Sequence, residues 1–133
     1  MSQIERIVGK LETDSDQLNN VGRQYFGINF LGCFPRDRVP ELKVNQSCII
    51  NEDKHTGPGF HWMAMYRGLS GNIFYDSFGR PHKKIMKNLN KRKVIDADDK
   101  DREQRLSETN CGARALAFLM VCYYMGPDYA MLI

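Results

Sequence analysis

A chain of 133 residues suits one domain, residues 1–133, with a genuine core, because a domain of this size hides roughly two-thirds of its unfolded surface. Apolar residues make up 42% and charged residues 26%, near globular averages, which argues against disorder. The net charge of +3 permits a polyanionic partner without demanding one. Met1 to Glu5 lacks the basic segment and apolar run of a signal peptide, and no apolar stretch reaches membrane-spanning length. The expectation is a protein of the cell interior or of a virion. Cys33, Cys48, Cys111 and Cys122 contain no CxxC pair, so a zinc site or thioredoxin-type motif is not expected.

In chain order, Ser2 to Leu11 carries Ile4, Ile7, Val8 and Leu11 at helical spacing, and Ser2 with Glu5 fits a capping box. Asp14 to Asn20 is polar and reads as a loop. Phe26 to Phe34, punctuated by Gly27 and Gly32, reads as an irregular or short extended segment. Pro35 and Pro40 bracket a charged turn at Arg36, Asp37 and Arg38. Ser47 to Asn51 reads as a short buried strand, and Glu52 to Gly59 as a polar loop. Phe60 to Tyr66 and Ile73 to Tyr75, joined by a glycine-containing turn, predict a β-hairpin. Pro81 to Lys93 fits a basic helix, Val94-Ile95 a brief strand, and Asp96 to Glu103 a charged loop. Polar residues 105–110 then give way at Cys111 to a run of helix formers closed by Gly126-Pro127, which predicts a buried helix with a cysteine in its first turn. Strands lie between helices at both ends, so the class is α+β.

The hairpin and the last helix carry the chemistry. His61 lies at the start of the first hairpin strand and Asp76 at the end of the second, which is one open end of an antiparallel pair. If Tyr66 faces Ile73, Asp76 is a diagonal neighbour of His61 on the same face. If Arg67 faces Ser70, the two sit directly opposite. Both registers leave their Cβ atoms roughly 5–8 Å apart, whereas a one-residue slip would place them on opposite faces. A histidine oriented by a carboxylate is the base half of a nucleophilic triad. Cys111 supplies a thiol at a helix N-terminus, where free N–H groups favour a thiolate and can hold an oxyanion. Gln104 is a candidate second oxyanion donor through its side-chain amide. Each residue also has an ordinary structural reading: His61 and Trp62 in the core, Asp76 in a strand-ending turn, Gln104 in solvent, Cys111 as a buried thiol.

Other constellations are poorer. His55 and His82 have no metal-type spacing and read as surface residues, so no metal site is expected. No P-loop or GxGxxG occurs. Lys83, Lys84, Lys87, Lys91, Arg92 and Lys93 read as a solvated helix face, with phosphate contact to nucleic acid as the alternative.

Three segments resemble the adenovirus-protease (adenain) group of cysteine peptidases, and more distantly the Ulp-type SUMO-deconjugating proteases. They are Gly59-Phe60-His61-Trp62-Met63-Ala64, Ile73 to Gly79, and Gln104 to Gly112 with Gln-x6-Cys-Gly spacing. Phe30-Leu31-Gly32, with Phe34, Arg36, Arg38 and Pro40 after it, resembles a segment near that family's N-terminus, and Cys48 to Asn51 the strand that follows it. The likeness runs from about residue 26 to 122. It implies His61 as general base, Asp76 as orienting acid, Cys111 as nucleophile and Gln104 in the oxyanion hole. It also implies a papain-like or adenain-like α+β fold, with the cysteine helix packed on a small mixed sheet. The implied activity is peptide-bond hydrolysis at small-residue, glycine-containing sites of viral precursor proteins, with Pro35 to Pro40 shaping the substrate groove. Adenovirus enzymes continue well past the cysteine helix, so the resemblance leaves a minimal or a truncated version as the expectation. They also use an activating peptide, tethered through a cysteine before the glutamine, and DNA. Pro81 to Glu103 contains no cysteine, which does not support a tethered peptide, while the basic run leaves DNA activation open. The chemistry itself requires no cofactor. The rival expectations are a protease acting on ubiquitin-like modifiers and an inactive DNA- or protein-binding module.

Overall fold

A computed structural model describes residues 15–52, 61–76, 81, 93–97 and 111–127. Among them are two helices, α1 (Ser15–Phe26) and α2 (Cys111–Met125), and a five-stranded sheet. The strands are β1 (Phe30–Pro35), β2 (Ser47–Asn51), β3 (Trp62–Gly68), β4 (Gly71–Tyr75) and β5 (Val94–Asp96), adjacent in chain order. The sheet is mixed: β1 runs parallel to β2, β3 is antiparallel to both neighbours, and β4 is parallel to β5. The class is α+β, as expected. The expected helix over 2–11, and nearly all of the one over 81–93, lie outside the described residues; Lys93 itself is not helical but stands directly before β5.

Residues 15–20 form the first half of α1 rather than a loop. Their polarity hides a sparse apolar stripe, Leu18, Val21 and Phe26, whose side chains are all buried. Packing against β1 decides the conformation, as tertiary contact commonly overrides local composition. Gly22 lies on the same face, and a Cβ there would come within 2.5 Å of the Phe30 ring. Asp16 in the first turn and Arg23 in the last complement the helix dipole.

The sheet is covered on both sides. Ile49, Trp62, Ala64, Tyr66, Ile73 and Tyr75 face the two helices. Cys48, Ile50, Met63, Met65 and Phe74 form a second core with Val39 and Leu42. Those last two belong to the connection between β1 and β2, which must cross over because the strands are parallel. It begins with a turn in which the Arg38 N–H donates to the Pro35 carbonyl (2.9 Å). Burial on both faces accounts for the near-continuous apolar run of β3.

In the hairpin, Tyr66 faces Ile73, and pairing continues through Arg67–Asn72 to Gly68–Gly71. The strands are therefore longer and the turn tighter than the sequence suggests, with only Leu69 and Ser70 between them. Neither has a positive φ; that conformation falls on Gly71 (φ 144°), where a Cβ would meet Lys93 at 3.1 Å. At its far end α2 stops at Gly126 in a left-handed conformation (φ 97°), followed by Pro127, a common helix termination.

Candidate active site

Three element ends meet at one place. Cys111 is the first residue of α2, so its own N–H and those of Gly112 and Ala113 belong to the turn that has no intrahelical acceptor. Cys111, Ala115, Leu116, Leu119 and Cys122 are buried along the helix, which anchors the cysteine by its apolar body. His61 stands one position before β3, and its carbonyl accepts the Glu52 N–H at 2.9 Å, extending the β2–β3 ladder by one step. Asp76 stands one position after β4. His61 is 8% exposed and Asp76 4%.

The His61 Nε2–H donates to Asp76 Oδ1 at 2.6 Å. Such a short contact to an acceptor-only carboxylate is a charge-assisted hydrogen bond. It leaves Nδ1 as the ring nitrogen for the Cys111 side chain, with which His61 also hydrogen-bonds. Burial alone would pull the His61 pKa down. The hydrogen bonds to Asp76 and Cys111, together with the electrostatic pull of those two side chains, outweigh it and push the value up to about 9. The imidazolium form is thereby favoured at neutral pH.

The hairpin register makes Asp76 a diagonal neighbour of His61, the first of the two alternatives read from the sequence. Strict alternation along β3 would aim His61 to the Met63 side, away from α2. It stands outside the paired residues, and its ring meets the side chain at the start of the helix. Trp62 is buried in the helix-side core, consistent with packing.

Gln104 lies outside the described residues, as do His55, His82, Lys83, Lys84, Lys87, Lys91 and Arg92. Lys93 is exposed, and its carbonyl accepts the Asn72 N–H (3.0 Å) and the Asn72 side-chain amide (3.2 Å). Among the described residues no group of three His, Cys, Asp or Glu side chains is placed to hold a metal, and no helix is long and apolar enough to cross a membrane. None of the four cysteines is in a disulfide. Burial pushes Cys122 up to about 12. It does the same to Cys33, to about 12, against the pull of Arg23. Both are therefore poor nucleophiles. The Glu52 amide is a site contact that sequence reasoning missed; the signal for it was the β2–β3 pairing, which the sequence does not display.

Compared with known protein-family models and with curated proteins, the chain matches none.

Proposed function

We propose that this chain is a cysteine endopeptidase working through Cys111, His61 and Asp76. One observation carries the reading: a single buried imidazole bonded on one side to a carboxylate and on the other to a thiol at a helix N-terminus. In this mechanism Cys111 gives its proton to His61, and its sulfur attacks the substrate carbonyl. The carbonyl oxygen becomes an oxyanion facing the N–H groups at the start of α2, and the adenain resemblance gives Gln104 the role of a further donor. His61 then protonates the leaving amine as the C–N bond breaks, which leaves a thioester on Cys111. Water, deprotonated by His61, attacks the thioester and regenerates the thiol. Asp76 accepts the Nε2–H throughout and stabilises the imidazolium.

The fold of this reading is papain-like, of the adenain kind. The substrate class follows from the adenain resemblance: precursor proteins of a DNA virus or virus-like element, cut beside glycine or another small residue, inside an infected cell or a virion. The same resemblance leaves DNA, through Lys83 to Lys93, and a peptide as candidate activators. The experiment is an electrophilic thiol probe on the whole chain. Stoichiometric labelling that Cys111→Ser removes and Cys33→Ser keeps is expected. Slow labelling spread over all four cysteines would overturn the enzyme reading and favour a binding module. Cleavage of a ubiquitin-like fusion, with no cleavage of glycine-containing viral precursor sequences, would shift the substrate to modifier conjugates.

A further inference from the structure

The reacting groups sit on separate elements, so something must hold those elements in register. Near the site the ring of Tyr75 stacks on Phe118, with centroids 4.8 Å apart and planes 10° from parallel. Both rings are buried. Tyr75 is the last residue of β4 and directly precedes Asp76. Phe118 lies two helical turns after Cys111 on the same face of α2, about 10 Å along the axis. Between them on that face is Ala115, fully buried but small. The ring pair is thus a bulky, face-to-face contact joining the cysteine helix to the strand that ends in the acid.

At the other end of α2 a second aromatic group does a similar packing job. Tyr123 stacks on Phe26 (4.8 Å, 22°) and meets Tyr66 edge-on (5.1 Å, 88°). That group lies about 18 Å from Cys111 along the helix. The two contacts therefore provide an internal comparison: similar rings, the same helix, opposite distances from the chemistry.

We propose that the Tyr75–Phe118 stack is a positioning contact for the site. It sets the rotation and depth of the α2 N-terminus relative to Asp76, and through Asp76 relative to the His61 ring. Neither aromatic residue touches substrate. The inference rests on the Cys111–His61–Asp76 reading above, and the two are separable by experiment.

The measurement is the rate of Cys111 alkylation by iodoacetamide on the full chain from about pH 5 to about pH 10, a window spanning free and paired thiols. On the triad reading, the native chain should show a plateau of reactivity on the acid side. Phe118→Leu and Tyr75→Leu should lose that plateau, with rates at about pH 6 reduced by roughly 10–100-fold, because reactive pairs are sensitive to displacements of about 1 Å. Their rates at the alkaline end should stay close to native. Tyr75→Phe, which keeps the ring, should retain the plateau. Phe26→Leu, which removes the distant stack, should lower thermal stability while leaving the plateau intact. If a leucine variant fails to fold, Tyr75→Met or Phe118→Met, which fills space without a ring face, is read in its place. Folded variants with a native pH profile would overturn the proposal, as would an equal loss in Phe26→Leu. A native chain with no acid plateau at Cys111 would overturn the triad reading itself.

Discussion

His61 shows how two neighbours outweigh an unfavourable environment. Its pKa rises from 6.5 to about 9, so the folded state holds a proton that the unfolded state releases. The stabilisation is fully present below about pH 6.5 and disappears as pH rises through about 9. The thermal midpoint of the native chain should therefore fall across that window, and the fall should be smaller in His61→Gln; equal slopes in a calorimetric pH series would contradict the account. On the proposed peptidase reading, His61→Ala should abolish peptide turnover while the far-ultraviolet dichroism stays native. Gln104→Ala should lower kcat by about a hundredfold, the scale of other oxyanion donors. A change confined to KM would instead assign Gln104 to substrate binding.

At the scale of elements, the close approach of α1 to β1 depends on a missing side chain. Gly22→Ala would drive a methyl into the Phe30 ring, and overpacking of that kind costs about 1–3 kcal/mol. Urea unfolding should show it as a lower midpoint with an unchanged slope. Leu119→Ala, at a fully buried position of α2, should cost about 2–5 kcal/mol. The sequence displays α2 well because a continuous apolar run ends in Gly126-Pro127. It displays the hairpin because two apolar runs flank a short turn. Asp14 to Asn20 reads wrongly because only Leu18 is apolar in that stretch, and its burial is decided by β1. The parallel pairing of β1 with β2 is invisible for a related reason: its register comes from a crossover, not from a local turn. The direction of the His61 ring was equally out of reach, since period-two alternation holds only within paired residues. Its nearness to Asp76 was legible, because both registers that the sequence left open tie the two positions to one end of the hairpin, and the observed pairing selects the diagonal one.

For the molecule as a whole, β3 is the centre. It pairs on both edges and is covered on both faces. Amide exchange should be slowest there and faster along β1 and β5, which close the two sides of the sheet. A profile in which β5 outlasts β3 would contradict this ordering.

That arrangement has a consequence for the order in which the machinery comes into being. His61 and Asp76 are brought together by a hairpin, a contact local in the chain that needs only a tight turn. Cys111 reaches them only after α2 docks from much farther along the sequence. Local contacts close sooner than distant ones because less chain entropy must be lost at once. The acid–base half should therefore mature first, and the thiol should stay inert until docking is complete. In stopped-flow refolding, probe capture at Cys111 should lag behind hairpin protection. On the proposed peptidase reading, a growing or half-folded chain would then be unable to cut its neighbours, a safeguard that arises from topology alone.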